Sequence, residues 1–371
     1  MDDPEDLAAP RRVVAAGVER AKRRTWLAAM PKAELHLHLD GSLRIETALE
    51  LARTRNVDAP RDAEGMRAAL VAPMPCHDQA ELLQAFDLPI ALMQDAEALE
   101  RIAAELVETK AAEGVRYVEI RWGPLLHLAR GLSLPDGIAA VARGAAHAAA
   151  RTGTEVRLIC TALRSHDPAA NAQLARTAAA FRGGLTAFDL AGPEAAFPDP
   201  ALHAQAFAIA REAGLGITIH AGEWGGAPQV RRALGVEPAR IAHGPGAIDD
   251  PELCRELIDR NIALDLCPTS NWQAGLVPSI AAHPLARLHR LGVPVTLSTD
   301  DTTVSDLSLV DEYERALDQI RLTPGDLWAI NRRALDVAFA DDPTLARLRA
   351  EFDAWASADP RLTGAAGAPS A

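Results

Sequence analysis

The 371 residues carry 38 Lys and Arg against 51 Asp and Glu, a formal net charge of −13 at pH 7, with 49% apolar and 4% aromatic residues. This is globular composition, and the acidic balance excludes a polyphosphate-tracking surface, because nucleic-acid binding needs cations that neutralise phosphates; a small-molecule partner is expected, not a nucleic acid. No run approaches the ~18 apolar residues of a membrane span, the start Met1-Asp2-Asp3-Pro4-Glu5-Asp6 is acidic where a signal peptide is basic, and Cys76, Cys160, Cys254 and Cys267 form no C-x-x-C pair, so a cytoplasmic protein with no membrane partner and reduced, mostly buried thiols is expected.

In chain order, Asp6 to Met30 is charged and partly amphipathic, which predicts a helical extension closing the bottom of the fold. A short apolar run ending in polar residues then recurs eight times, each followed by a helical pattern. The first runs from Ala33 to Asp40. A long interruption, read as a helical lid insertion with room for several helices, follows over residues 44–114. Its segment Glu81 to Asp95 concentrates apolar residues, and Leu82, Phe86 and Leu92 are expected to cover a site as a lid. The next runs are Val115 to Trp122, Glu155 to Leu163, Leu185 to Ala191, Gly216 to His220, Arg240 to His243, Asn261 to Cys267 and Val293 to Thr299. Asp250-Pro251-Glu252 and Thr323-Pro324-Gly325-Asp326 read as helix starts, and Leu309, Tyr313, Leu317 and Ile320 recur at helical spacing. Residues 364–371, rich in Gly, Ala and Pro, read as a flexible tail.

Eight strands alternating with helices predict an α/β protein. The architecture is a (β/α)8 TIM barrel in one domain over residues 1–363, with an N-terminal helical extension and a helical insertion after the first strand. A doubly wound sheet would share the alternation, but the G-x-G-x-x-G phosphate loop is absent.

The unusual polar residues fall at the C-terminal ends of the strands, where barrel enzymes build their sites. In His36-Leu37-His38-Leu39-Asp40, alternation by two sends both imidazoles into the barrel mouth, with Asp40 above them. Asp189, His220, His243 and Asp300 end four further strands, and Glu223 follows His220 by three residues. One such residue alone is more often part of the scaffold. Three imidazoles and a carboxylate on one rim suit a borderline-soft divalent cation, with Zn2+ the first choice. No H-E-x-x-H helix and no H-x-E paired with P-C-x-x-C competes with that rim. His77, His127, His147, His166, His203, His283 and His289 are assigned to surface or packing roles.

Seven motifs occur in order: His36-Leu-His-Leu-Asp40-Gly41-Ser42, Val118-Glu-Ile-Arg121, Asp189-Leu-Ala-Gly192-x-Glu194, Thr218-Ile-His220-Ala-Gly-Glu223, His243-Gly244, Cys267-Pro-Thr-Ser-Asn271 and Ser298-Thr-Asp300-Asp301. With them the chain resembles the adenosine deaminase family of the amidohydrolase barrels from Pro31 to roughly Ala340. The resemblance implies one Zn2+ per chain held by His36, His38, His220 and Asp300. Phe188-Asp189-Leu190 offers no Lys to bridge a second metal. Two departures stand out: Pro193, where the family commonly has an acidic residue, and Ala242 before His243, where Gly is usual.

The implied reaction is water attack at C6 of adenosine or 2′-deoxyadenosine, giving inosine or 2′-deoxyinosine and ammonia. Glu223 can protonate ring N1, which needs a carboxyl kept protonated by burial, while His243 and Asp300 orient the water and manage its proton. The resemblance places Asp301 at N7 and the Gly192 N–H at N3. Substrate contacts are expected from His38, Asp40, Gly192, Asp301 and Phe86. Asp40 lies where a ribose 5′-hydroxyl would donate to it, and its charge should repel a 5′-phosphate; otherwise it caps the next helix through Ser42 and Leu43. The alternatives are deamination of adenine or a 5′-modified adenosine, or a metal-binding barrel without catalysis. Oligomeric state is not legible.

Overall fold

Each apolar run becomes a strand because both of its faces are covered, by helices outside and by opposing strands inside. The computed structural model describes residues 8–181 and 184–363. The strands are β1 (Lys32–His38), β2 (Val115–Trp122), β3 (Glu155–Leu163), β4 (Leu185–Ala191), β5 (Gly216–Ala221), β6 (Arg240–His243), β7 (Ala263–Leu266) and β8 (Val295–Leu297), all parallel and neighbours in chain order. The last two are shorter than their apolar runs: Asn261, with φ of 51°, is not extended, and Pro294 lacks the N–H a ladder needs. The ring closes just beyond β8. There the His38 N–H donates to the Asp300 carbonyl (2.7 Å) and the Asp300 N–H to the His36 carbonyl (3.1 Å).

The N-terminal extension forms as α1 (Ala8–Ala29), but its predicted place is corrected. It lies along a late barrel helix, where Arg20, Arg23 and Arg24 pair with Asp311, Glu314 and Asp318. The strand starts are sealed instead by the C-terminal segment. Leu335, Leu348 and Phe352 pack under Ala33, Leu35 and Tyr117, and the Phe339 ring lies 3.9 Å from the Arg240 guanidinium.

The insertion comprises α2 (Ile45–Arg55), α3 (Ala63–Leu70), α4 (Gln79–Gln84) and α5 (Asp87–Leu92). The next helix, α6 (Ala96–Ala112), lies inside the range read as lid but is an ordinary barrel helix. Its face Leu99, Ile102, Ala103, Leu106 and Val107 is buried, and it packs along α7 (Leu134–Thr152). The ring continues with α8 (Pro168–Ala180), α9 (Ala204–Glu212), α10 (Gly226–Ala233), α11 (Pro251–Asp259), α12 (Pro268–Gln273), α13 (Leu285–Arg290), α14 (Leu309–Asp318), α15 (Pro324–Ala334) and α16 (Asp342–Ala358). The expected starts hold: Asp250 accepts from the Glu252 and Leu253 amides, and Thr323 with Asp326 forms a reciprocal cap. The tail, residues 364–371, lies outside the described residues. No described helix is long and apolar enough to cross a membrane.

Inside the barrel, β2 alternation aims Tyr117, Glu119 and Arg121 inward. The Tyr117 hydroxyl donates to Glu119 (2.8 Å), Arg240 pairs with both Glu119 and Asp265, and Arg121 donates to Asp189 (3.3 Å) and to the Leu35 carbonyl (2.8 Å). All five charged groups are fully buried. Removing one partner strands the others without water, so Arg240→Ala should lower stability by about 3–5 kcal/mol. Urea unfolding followed by circular dichroism checks this, and a loss below about 1 kcal/mol would contradict a paired role for Arg240.

Candidate active site

Because β1 alternates, His36 and His38 leave the strand on one side and meet groups from β5 and the end of β8. The His36 Nε2 lies 2.9 Å from Asp300 Oδ1, and the His38 Nε2 lies 3.1 Å from His220 Nε2 and 3.3 Å from Asp300 Oδ1. Asp189 accepts from His220 Nδ1 at 3.0 Å, which leaves the His220 Nε2 lone pair facing the cluster. Both ring nitrogens of His36 are buried without a hydrogen-bond partner. One ligand atom from each of the four residues lies within 4.8 Å of the others. Orphaned imidazole nitrogens beside a carboxylate are the donor set of a zinc-type cation. His36, His243 and Cys267 make a second grouping, but burial and the charge of Asp300 push the Cys267 thiol up, away from the thiolate a metal requires.

His243 and Asp300 both have φ of 67°, in the left-handed region uncommon for residues with a side chain. The Asp300 Oδ2 accepts from Ser270 (2.7 Å) and lies 3.7 Å from His243 Nε2. Burial works against its charge, but His36 and His243 hold its carboxyl well below the usual range. The neighbouring Asp301 goes the other way: burial, then the charges of Asp300, Asp40 and Glu223, push its carboxyl up. A Cβ at Gly41 would stand 1.7 Å from Asp301 Oδ1, so glycine is what lets that carboxyl sit there.

Glu223 sits in the turn after β5. Burial, Asp300 and Glu194 push its carboxyl up, while burial takes the His243 imidazole down to about 3 and keeps it neutral. The turn itself is pinned by Glu194, which accepts from the Gly222 (2.9 Å), Trp224 (2.8 Å) and Gly225 (3.1 Å) amides. Asp40 does not cap the next helix. The residue before α2 is Arg44, which makes no capping bond, whereas Asp40 accepts from the Gly123 amide at 3.3 Å and leaves Oδ1 buried without a partner. Burial opposes its charge, yet His38, whose Nδ1 lies 3.7 Å from Oδ1, together with His127 and Gly123 lowers its carboxyl overall.

These groups line a cavity of 380 Å3, large enough for a small ligand. His38, His220, His243, Asp300, Asp40, Glu223 and Asp301 border it from the barrel, as does Gly192, whose φ of 95° suits glycine alone. Leu82, Leu83, Phe86 and Ile90 of the insertion form an apolar wall. Leu92, expected among them, is core instead: it is 1% exposed and does not reach the cavity. Among the described residues no Lys or Arg lines the cavity, and its ionisable lining includes five carboxyl groups. A larger depression of 740 Å3 around Arg53 and Arg61 brings together none of these groups.

Two of the histidines assigned to surface or packing lie beside site residues. His127 is buried 3.9 Å from Asp40, and His283 is buried against Asn271, which itself bonds His243. Arg121, Ser270 and Asn271 also contact site residues, Asp189, Asp300 and His243 in turn, although their motifs carried no expected role.

The adenosine deaminase family model matches residues 31–355. An adenosine deaminase from Vibrio vulnificus is 38% identical over 317 residues, which is 84% of this chain and 95% of that protein. Among solved structures, an adenine deaminase from Arthrobacter aurescens superposes with a TM-score of 0.83 at 27% identity, covering 89% of this chain and all of that one (100%). A zinc-bound amidohydrolase from Burkholderia ambifaria gives 0.82 at 28%, covering 90% and 93%. An N6-methyl-AMP deaminase from Arabidopsis thaliana gives 0.79 at 30%, covering 91% and 99%. On this match of sequence and barrel, the chain belongs to the adenosine deaminase family, as a hydrolase acting on C–N bonds.

Proposed function

We propose that the protein deaminates adenosine and 2′-deoxyadenosine with one Zn2+ per chain, water and nucleoside giving inosine or 2′-deoxyinosine and ammonia. The observation that carries the nucleoside reading is Asp40. It is an ionised, buried acceptor with one oxygen free, in a cavity whose lining among the described residues holds no Lys or Arg. A ribose 5′-hydroxyl can donate to it, adenine offers no such group, and a 5′-phosphate would meet carboxylates without a counter-charge.

His36, His38, His220 and Asp300 would hold the metal, which when bound supplies Lewis acidity that makes water more acidic. The remaining groups act on the purine. N1 and N7 both accept hydrogen bonds, so a carboxyl facing either must keep its proton, and Glu223 and Asp301 are the two that burial and neighbouring charge push up. Glu223 donates to N1 and makes C6 electrophilic, Asp301 donates to N7, and the Gly192 N–H reaches N3. His243 and Asp300 orient the water, with His38 beside them. Phe86, with Leu82 and Leu83, closes the apolar side over the ring. Four buried, free thiols suit a reducing, cytoplasmic setting.

Metal analysis of dialysed protein should read one zinc per chain, and His220→Ala should lose most of it, because an imidazole is missing while its Asp189 partner remains. Two equivalents, or full retention in the variant, would overturn the ligand set. Glu223→Gln should keep zinc and thermal stability while kcat falls ~10²–10⁴-fold; a fall of less than about tenfold would remove Glu223 from the acid role. Wild-type kcat/KM should rank adenosine and 2′-deoxyadenosine above adenine, with AMP and N6-methyl-AMP lowest. A lost charge-assisted hydrogen bond predicts that Asp40→Ala lowers the adenosine value ~10–100-fold and leaves adenine nearly unchanged. Adenine as the best substrate would overturn the nucleoside reading.

A further inference from the structure

We infer that Asn271 and His283 are positioning residues that fix the proton of His243 on Nε2, so that His243 faces the site as a hydrogen-bond donor. This rests on the reading of His243 as a group that orients the attacking water, and it comes from three consecutive contacts that run inward from the start of α13.

The first contact sets the direction. The Leu285 backbone N–H lies 3.1 Å from His283 Nδ1. A backbone N–H can only donate, so His283 Nδ1 must accept and the neutral ring carries its proton on Nε2. That Nε2 is 3.1 Å from Asn271 Oδ1, which therefore accepts, and the Asn271 amide turns its Nδ2 to His243 Nδ1 at 3.0 Å. Nδ2 carries only donors. The His243 Nδ1 is thus an acceptor, and the imidazole proton belongs on Nε2.

Turning the Asn271 amide over does not give an equal alternative. His283 Nε2 would then have to accept from Asn271 while Nδ1 accepts from Leu285, leaving a ring with no proton at all. Protonating His283 instead would set an N–H against the Leu285 N–H. Burial supports the neutral state, since Asn271, His243 and His283 are all under 5% exposed and burial takes the His283 imidazole down to about 3. Asn271 is itself held in α12, its N–H donating to the Cys267 carbonyl at 2.8 Å.

The His243 Nε2 lies 3.7 Å from Asp300 Oδ2 and 3.8 Å from Glu223 Oε1, too far for a hydrogen bond to either, so its N–H remains free for an oxygen in the site. A nitrogen that already bears a proton cannot take another. Making the cation would need a proton on Nδ1, against the Asn271 donor. His243 therefore steers the water by donating to it, and the proton that leaves the water goes to a carboxylate.

Long-range 1H–15N correlation spectra of the metal-loaded protein, labelled with 15N-histidine, read the tautomers without reference to activity. The expected result is Nε2–H for both His243 and His283. Asn271→Asp presents acceptors to both rings and should move the His243 proton to Nδ1, lowering kcat about tenfold or more with KM and metal content retained. His283→Gln keeps a donor towards Asn271 and should recover most of the kcat that His283→Leu loses. Nδ1–H on wild-type His243, unchanged kcat in Asn271→Asp, or equal losses in His283→Gln and His283→Leu would each overturn the inference. If Asn271→Asp does not fold, the wild-type spectrum and the His283 pair still decide. Nε2–H tautomers in a protein inactive on every purine would instead overturn the proposed function and leave the inference standing.

Discussion

The Asp300 backbone accepts from His38 and donates to His36, while its carboxylate turns back towards the imidazoles of the same two residues. Closing the ring and gathering the candidate metal ligands are therefore done by one residue. Its backbone is left-handed, with φ of 67°, at the point where the strand ends and the side chain turns towards the imidazoles. The carboxyl of Asp301, the next residue, is pushed up by burial and by three neighbouring carboxyl groups, so two adjacent aspartates are shifted in opposite directions by surroundings alone.

Beneath that junction the barrel is filled by charge where an ordinary TIM barrel uses branched apolar side chains. Arg240, Glu119 and Asp265 form the lower part and Arg121 with Asp189 the upper, and Asp189 hands the series on to His220. Such a core is weak evidence for extra stability, since each ion is costly to desolvate. What it supplies is direction: every guanidinium and carboxylate has few acceptable partners, so the imidazole at the top has few acceptable poses.

Much of the site was legible because alternation by two and strand-end position are local properties. His36, His38 and Asp40 share a seven-residue stretch, and Glu223 lies one turn beyond His220. The errors arose where local pattern is silent about what a residue packs against. Phe86 and Leu92 read alike in sequence, yet one lines the cavity and the other joins the core behind it. Helix α6 reads like its neighbours in the insertion until its buried face meets α7. His283 carries no spacing signal, because its partner lies twelve residues back and the imidazole beyond that partner, His243, lies on β6. The seal under the barrel was misplaced for the same reason: Phe339 reaches Arg240 and Glu119 only through tertiary folding.

Glu194 ties the turn after β5 to the loop after β4, two residues beyond Gly192. In the proposed pose, Gly192 and Glu223 touch opposite edges of one flat ring, so a single carboxylate sets the gap between them. The pair then works as a caliper of fixed opening. A heterocycle wider or narrower than a purine would lose one edge on gaining the other, whereas the apolar wall of Leu82 and Phe86, carried on a separate insertion, is free to accommodate variation away from that edge. In that pose, selection by ring width and selection by sugar fall to different parts of the chain.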